Sequence, residues 1–407
     1  MSRGIGIIFS SKGKQAVEIR ILAEDELQYT QKMWSQAFHH GKNNPERWEK
    51  WRTNTYPGSY CCGVWDEGGL QSVLLVNDFR VHFGADTVYD MGGIGGVATL
   101  PAARGKGYAG KLLTFMLEQM HEHQQPISSL FPFSWKFYRQ YGYEWVGIKR
   151  EYTIKTESIP NSEETKYVRA ARAGDTAALI GCYTRYAHGY RGLLKRKDNR
   201  WNGILEDEPA QFTFTYVYER DGKIEGYLVY RDGKEEKTGL REFICTSLRA
   251  YRGLLGLLRR HEMQTRSFEW EAPDNDPLWN IYYHWDIETK TQPIVQARIV
   301  DVEAAFNDWK PVTQTSGSAV FALQDANCAW NTGTWRVNYE GGRTAIQRTS
   351  DTPHVSLDIQ ALSQAFYGYP TLPLLRDAGR IAVHDENGMN ALHTLLDGLL
   401  PFTNDGF

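Results

Sequence analysis

Between a predicted strand and a predicted helix, the chain reads Val97-Ala98-Thr99-Leu100-Pro101-Ala102-Ala103-Arg104-Gly105-Lys106-Gly107-Tyr108-Ala109-Gly110. A turn of this kind exposes several backbone N–H groups in one concavity, and its glycines let a ligand approach the backbone closely. The following helix adds about half a positive charge at its N-terminus, to which Arg104 and Lys106 add their own charges. The segment therefore predicts a pyrophosphate site, with a plain connecting turn as the alternative.

Two better-known phosphate motifs do not fit this segment. It does not match G-x-x-x-x-G-K-[ST], which excludes a P-loop, and it does not follow the first strand of a βαβ unit, which disfavours a dinucleotide fold. Two hairpins are predicted before it, from residues 60–76 and 79–91. We expect Gly92, Gly93, Gly95 and Gly96 to interrupt the end of the last strand, because glycine in a strand marks a bulge or a close approach.

The order strand, helix, hairpin, strand, helix occurs twice along the chain. The second copy has a strand near residues 167–169, a helix over 175–186, a hairpin at Asp221-Gly222, a strand over 241–245 and a helix over 248–260. Its nearest counterpart to the first loop, residues 249–254, lacks the second glycine, so we expect no phosphate site there. From about Gln292 the pattern predicts a third, α+β domain. The leucines of that domain fit either an ordinary core or a lipid site, and the core is the preferred interpretation.

Composition excludes several classes of protein. The chain has 407 residues with a formal net charge of −3, 41% hydrophobic and 23% charged residues. Two or three domains are expected at this length, and the basic surface of a nucleic-acid binder is not. No apolar run reaches the ~20 residues of a membrane helix, and no secretory signal is recognisable, so a cytoplasmic protein without a membrane partner is expected. The five cysteines show no metal-binding spacing, and no metal is expected.

A family resemblance rests on two segments. The strand ending at Val97, the loop over 104–109 and the helix after it resemble the coenzyme A signature of the GNAT acetyltransferases. The run Phe137-Tyr138-Arg139-Gln140-Tyr141-Gly142-Tyr143 resembles the segment that closes a GNAT domain, although the family often has glycine where Arg139 stands. With the tandem repeat, the third domain and an aromatic last residue, Phe407, residues 17–407 resemble the Eis (enhanced intracellular survival) family of N-acetyltransferases.

The resemblance implies an α/β fold of mixed sheets. It has an N-terminal extension (1–16), a catalytic GNAT domain (17–155), a degenerate GNAT-like domain (166–291) and a sterol-carrier-protein-like domain (292–407). It also implies direct transfer, in a ternary complex, of acetyl from acetyl-CoA to an amine on a small or flexible cationic molecule such as an aminoglycoside-like polyamine. Alternatives are acetylation of protein lysines, or coenzyme A or lipid binding without turnover. A homo-oligomer, often a hexamer, is implied as well.

The resemblance also implies roles for individual residues. Tyr138 is the expected general acid, and the α-carboxylate of Phe407 is the expected base; the alternatives are a packed aromatic and a frayed terminus. A terminal carboxyl has an ordinary pKa of about 3.3–3.7, so burial or a water relay must assist it. Backbone groups around Ala98 are expected to hold the thioester and the pantetheine. The full set expected to bind the coenzyme is Val97, Ala98, Thr99, Arg104, Gly105, Lys106, Gly107, Tyr108, Ala109, Gly110, Phe133 and Ser134.

Overall fold

The structure is a computed structural model that describes residues 7–9, 17–38, 58–207, 211–232 and 236–407. Most of the expected N-terminal extension, 1–16, lies outside these ranges. Within them the chain forms two joined sheet-and-helix units followed by a third unit with a sheet of its own. No helix in these ranges is both long and apolar enough to cross a bilayer.

The first unit contains seven strands and three α-helices within the described ranges. They are β1 (Ile7–Phe9), β2 (Val17–Ile21), α1 (Leu27–Phe38), β3 (Tyr60–Asp66), β4 (Gly69–Phe83), β5 (Val88–Thr99), α2 (Tyr108–Glu122), β6 (Ile127–Leu130), α3 (Trp135–Arg139) and β7 (Glu144–Lys155). The two runs predicted over 70–83 are one long strand, β4. The glycines expected to interrupt β5 lie inside it: Gly92, Gly93 and Gly95 pair with β4, and Gly96 lies where the register of that pairing shifts.

The second unit repeats the predicted order. Its elements are β8 (Val168–Ala170), α4 (Thr176–Ala187), β9 (Tyr190–Leu194), α5 (Asp198–Leu205), β10 (Thr213–Arg220), β11 (Lys223–Arg231), β12 (Lys237–Cys245), α6 (Leu248–Arg259), β13 (Ser267–Pro273), α7 (Leu278–Ile281) and β14 (Ile287–Ile299). The comparison of residues 249–254 with the first loop was wrong, since these residues lie inside α6. Only Thr246 and Ser247 separate β12 from α6, and the Ser247 hydroxyl caps the helix by accepting a hydrogen bond from the Ala250 N–H at 3.2 Å.

One continuous sheet joins the two units. Its strand order is β1-β2-β3-β4-β5-β6-β14-β7-β13-β12-β11-β10-β8, with β9 pairing on β4 at its side. Strand β14 leaves the second unit and inserts antiparallel between β6 and β7 of the first. The boundary expected at 291/292 therefore falls inside β14. This strand follows the second unit along the chain, but its hydrogen bonds are to strands of the first unit.

The third unit packs helices against a five-stranded sheet. Its elements are α8 (Val302–Asn307), β15 (Gly317–Gln324), β16 (Gly333–Glu340), β17 (Arg343–Arg348), β18 (Val355–Asp358), α9 (Ile359–Tyr367), α10 (Leu372–Asp377), β19 (Ala382–Val383), α11 (Glu386–Leu396) and β20 (Leu400–Pro401). Most of the leucines weighed as a lipid site are buried in the core: Leu372, Leu375, Leu392, Leu395 and Leu396. Finally, β20 pairs in parallel with β9, Leu400 opposite Tyr190, which returns the chain end to the first two units.

Candidate active site

A β-bulge opens the sheet where the coenzyme strand was expected. Val73 of β4 pairs with Ala98 and Leu75 pairs with Gly95, so Gly96 and Val97 together oppose a single residue. Gly96 takes a φ of +57°, and the Trp34 indole donates a hydrogen bond to its carbonyl at 2.5 Å. A bulge of this kind leaves its extra residue out of the ladder. Backbone N–H and C=O groups of β5 near Val97 are therefore not paired with β4.

The neighbouring strands diverge at the same point. Strand β5 pairs in parallel with β6 from Met91–Ile127 to Ile94–Leu130. Strand β6 then ends at Leu130, while β5 continues to Thr99. Val97, Ala98 and Thr99 therefore have no partner from β6, and we call the space beside them, between the loop before α2 and the segment leading to α3, the cleft.

The loop before α2 is open. Gly105 and Gly107 have φ values of +82° and +77°, and a Cβ built on either would meet no atom within 4 Å. Among the described residues, no side chain caps the start of α2. The backbone amides at this helix start are therefore presented to ligand, which fits a diphosphate group. Arg104 and Lys106 are exposed.

The walls of the loop are held in place by packing. The Tyr108 hydroxyl donates to Asp66 at 2.9 Å, and the Lys106 ammonium lies 3.5 Å from the same carboxylate. A Cβ built on Gly110 would lie 2.1 Å from the Tyr141 hydroxyl oxygen. A side chain at position 110 would therefore have to displace the Tyr141 hydroxyl, which packs against α2 at this glycine.

Tyr138 lies on the short helix α3, behind the cleft. Its side chain is buried, with ring centroids 5.2 Å from Phe133 and 5.1 Å from Phe137. Among the residues that the structure describes, none is hydrogen-bonded to its hydroxyl, and burial raises the pKa of Tyr138 above its ordinary value. The phenol is therefore protonated at neutral pH, and it can give its proton only to a strongly basic acceptor.

The residues on either side of Tyr138 explain how α3 forms. The Ser134 hydroxyl caps α3 by accepting from the Phe137 N–H at 3.4 Å, and the Phe133 ring is 72% exposed at the cleft. Arg139 takes helical backbone geometry and donates to Glu144 at 2.6 Å. Arginine in place of the family's glycine is therefore accommodated without strain.

The last residue of the chain packs against β5 from the other side. Its ring centroid lies 4.8 Å from Phe79 and 5.1 Å from Phe131. A Cβ built on Gly93 would approach the Phe407 ring to 3.1 Å, and one built on Gly95 would lie 3.9 Å from the carboxyl carbon of Phe407. Two glycines of β5 therefore make room for the terminal aromatic ring and for its carboxylate, next to the bulge.

Sequence reasoning missed the residues that hold this terminus. Arg196 lies between Asp405 and Glu242, with nitrogen–oxygen distances of 2.9 and 2.8 Å, and all three side chains are at most 2% exposed. Arg200 pairs with Asp405 at 2.9 Å and donates to the Gly406 carbonyl at 3.2 Å. The sequence feature that could have indicated this ion pair is Asp405, the one charged side chain among residues 398–407.

A cavity of about 510 Å³ opens beside the terminus, between β7, β12, β13 and residues 402–406. Its wall contains three glutamates, Glu151, Glu269 and Glu271, against the basic residues Lys149 and Arg241. Aromatic rings form much of the rest of the wall: Phe131, Tyr152, Phe243, Trp270 and Phe402. Acidic and aromatic surfaces together favour an organic cation.

Comparison with known proteins agrees with this architecture. Residues 18–146 and residues 192–299 each match a family described as "Acetyltransferase (GNAT) domain", and residues 302–404 match "Sterol carrier protein domain". An uncharacterized N-acetyltransferase of Streptomyces avermitilis is 23% identical over 387 residues, covering 89% of this chain and 93% of that protein.

Solved structures share the fold over the whole chain. A probable N-acyltransferase from Enterococcus faecalis V583 superimposes with a TM-score of 0.88 at 24% identity, covering 97% of this chain and all of that one. Eis1 from Mycobacterium abscessus superimposes with a TM-score of 0.78 at 20% identity, covering 96% of this chain and all of that one. The chain therefore shares the fold of Eis1, and with two GNAT domains, a sterol carrier protein domain and an N-acetyltransferase relative along most of its length it is a GNAT N-acetyltransferase, whose fold implies acetyl-CoA as donor.

Proposed function

We propose that this chain transfers acetyl from acetyl-CoA directly to an amine of a small, flexible cationic molecule, such as an aminoglycoside-like polyamine. The observation that carries the proposal is the place of the terminal carboxyl group. It lies against β5 at Gly95, next to the bulge. The tail that precedes it lines the acidic, aromatic cavity on the other side. A carboxylate in that place can accept a proton from an ammonium group arriving through the cavity.

The charge of the cavity supports a cationic acceptor. Lys149 lies between Glu271 and Glu151, 3.7 Å from the latter, while Glu269 is paired at 2.7 Å with the exposed Lys237. Glu151 is also paired with Lys290 at 3.2 Å, so each of the three glutamates has a basic partner, and the terminal carboxylate adds a further negative charge. Five aromatic rings in the same wall attract an ammonium group through their faces.

The cleft on the other side of β5 fits the donor. In this proposal the loop amides around Gly107, with Arg104 and Lys106, bind the diphosphate. Backbone groups of Val97, Ala98 and Thr99 hold the pantetheine and the carbonyl oxygen of the thioester, the bulge supplying an N–H for that oxygen. Phe133 and Ser134 border the pantetheine arm. Acetyl-CoA supplies the acetyl group as a thioester.

Three proton transfers balance the reaction. The Phe407 carboxylate, directly or through a water molecule, takes a proton from the ammonium and later releases it to solvent, and the amine nitrogen forms a bond to the acetyl carbon as the carbon–sulfur bond breaks. The Tyr138 hydroxyl gives its proton to the departing thiolate, and the second proton lost by the nitrogen returns through water to the Tyr138 oxygen. Burial raises the pKa of all five cysteine thiols. Since a thiol reacts as its thiolate, this favours direct transfer over an acetyl-cysteine intermediate.

The test is an assay of acetyl-CoA with a panel of amines, detecting acetylated products by mass. The panel contains aminoglycosides, linear polyamines, a neutral amino sugar amide and a lysine peptide. Products confined to the small polycations are expected. Glu271→Gln should raise KM for these amines roughly two- to fivefold, the effect of an exposed ion pair of at most about 1 kcal/mol. Glu288→Gln, an exposed glutamate outside the cavity, is the matched control. Faster turnover of the lysine peptide than of every polycation contradicts the proposed acceptor.

A further inference from the structure

A second cavity, of about 240 Å³, lies in the second unit where β12 ends and α6 begins. This is the same place that the bulged strand and the open loop occupy in the first unit. There is no glycine-rich loop here, because two residues connect β12 to α6. Aromatic residues from four different elements line the cavity instead: Tyr186, Tyr190, Phe243 and Tyr251.

One carboxyl group faces this aromatic wall. Asp276, half-buried between β13 and α7, accepts hydrogen bonds from the Tyr251 hydroxyl at 2.9 Å and from the Leu278 N–H at 3.0 Å. Among the described residues no basic side chain is ion-paired with it, and the nearby Arg150 is paired with Asp274 at 2.9 Å. Burial raises the pKa of Asp276 to about 6. The cavity therefore holds a carboxylate that is ionised at neutral pH, feels the charge of Arg150 and forms no ion pair of its own within the described ranges.

The four aromatic rings form two pairs in the wall of the cavity. The ring centroids of Tyr186 and Tyr190 are 4.9 Å apart, and those of Phe243 and Tyr251 are 4.8 Å apart at an interplanar angle of 86°. A cation that lies over a ring face is attracted by the electrons of the ring. The α6 N-terminus presents about half a positive charge, but Ser247 accepts one of its N–H groups. The full charge of Asp276 outweighs it.

We propose that this second cavity is a binding site for an organic ammonium ion, with Asp276 as counter-ion and the tyrosines as an aromatic cage. The site is separate from the acetyl acceptor cavity, although Phe243 contributes to the wall of both. It requires no acetyl transfer, so an ammonium ion with no transferable proton binds there as well as a primary amine. At this place the first unit has a loop that suits an anionic diphosphate, whereas the second unit has a cavity that suits a cation.

The test measures binding of tetramethylammonium chloride to the full chain by calorimetry at pH 7.5, against sodium chloride at equal concentration. This probe carries no N–H group and cannot be acetylated. One saturable site per chain is expected for the wild type. Asp276→Asn, which keeps the shape and the acceptor oxygen, should weaken binding at least tenfold. Tyr251→Leu, which removes a ring, should also weaken it.

Two controls separate the site from its surroundings. Asp221→Asn removes an exposed carboxylate of the second unit that does not line the cavity, and it should bind the probe as the wild type does. tert-Butanol, a neutral molecule of similar shape, should not bind. Circular dichroism and a thermal melt establish that each variant is folded. The proposal is overturned if the probe does not bind the wild type, or if Asp276→Asn binds it with unchanged affinity, which would place the cation in the acceptor cavity. Neither result depends on whether acetyl transfer occurs.

Discussion

Arg196 and Asp405 form a buried ion pair, with 2.9 Å between Nε and Oδ2 and side-chain exposures of 0% and 1%. Arg196 follows β9 in the second unit, and Asp405 is two residues from the chain end. Burial by itself would raise the pKa of Asp405, but the charges of Arg196 and Arg200 outweigh it and hold that pKa below its ordinary value. The pair fixes a chain terminus, which is ordinarily mobile, beside the sheet of the first unit.

Breaking this pair tests whether Arg196 positions the terminal carboxylate. Arg196→Met leaves Asp405 and Glu242 buried without their shared cation, so the free energy of unfolding should fall by about 3–5 kcal/mol. At a temperature where the variant is folded, kcat should fall more than tenfold while KM for acetyl-CoA stays near that of the wild type. Arg200→Gln is the control, because its partly exposed side chain should contribute less than about 1 kcal/mol. Equal losses of kcat and coenzyme affinity would reduce Arg196 to a purely structural residue.

The chain end itself can be varied. Deleting Phe407 leaves the carboxylate on Gly406, displaced by up to ~3.6 Å. Because proton transfer needs about 2.6–3.2 Å or one bridging water, most activity should be lost. A C-terminal tag should act in the same way by turning the carboxylate into an amide, whereas an N-terminal tag and Phe407→Tyr should be mild. Turnover at the wild-type rate by a C-terminally extended chain, verified intact by mass, would contradict the assignment of the base.

The diphosphate site is tested at Gly107. Gly107→Asp introduces a negative charge and a side chain at a φ of +77°, and acetyl-CoA affinity should fall more than tenfold, or by at least about 1.4 kcal/mol. The matched control is Gly222→Asp, which carries the same charge at a φ of +73° in an equally open turn of the second unit. Calorimetry should find normal affinity in the control. Normal affinity in folded Gly107→Asp would remove the loop from the site.

The proposed acid is tested by deleting one hydroxyl. Tyr138→Phe keeps the ring, so coenzyme binding should stay close to normal while kcat falls roughly 10²–10⁴-fold, the usual contribution of general acid catalysis. Tyr218→Phe, at a buried tyrosine of β10 whose hydroxyl bonds to Glu164, is the control and should keep normal kcat. A kcat of Tyr138→Phe within a factor of two of the wild type would leave Tyr138 as a packing residue.

A pH dependence follows from Asp276, whose pKa rises from 3.8 to about 6 on folding. The folded chain holds that proton more tightly than the unfolded chain. The stability it contributes is therefore complete below about pH 4 and is lost as the pH rises through 6. The other titratable and charged groups around it are Arg150, Tyr152, Tyr186, Tyr190, Cys245, Tyr251 and Asp274. The tyrosines and the arginine do not titrate in this range.

Urea unfolding at pH 4 and pH 7 measures this loss. Between these values the wild type should lose up to about 2 kcal/mol more than Asp276→Asn, which carries no titratable group. Asp221→Asn, at an exposed carboxylate outside the cavity, should follow the wild type, since it leaves Asp276 and its neighbours in place. Parallel curves for the wild type and Asp276→Asn would show that Asp276 titrates normally.

The sequence by itself determined the two GNAT repeats, the third domain and the loop before α2. These features are encoded locally: apolar residues at helical spacing mark α2, the Asp221-Gly222 pair marks a hairpin, and Gly105 and Gly107 lie at positive φ in the turn that they predicted. Local spacing also placed Tyr138 and the terminal Phe407 by their resemblance to family motifs. Such patterns can be recognised in the sequence, because backbone geometry and hydrophobic periodicity depend on residues that are close together along the chain.

Only the tertiary structure decided what surrounds those residues. The insertion of β14 between β6 and β7 joins segments more than a hundred residues apart, and the Arg196–Asp405 pair joins residues 209 positions apart. The ammonium cage likewise combines α4, β9, β12 and α6 with Asp276. No local pattern encodes such contacts, because the partners of a buried charge or ring are distant in the sequence and come together only when the whole chain folds. Burial then changes its chemistry, as the raised pKa of Asp276 illustrates.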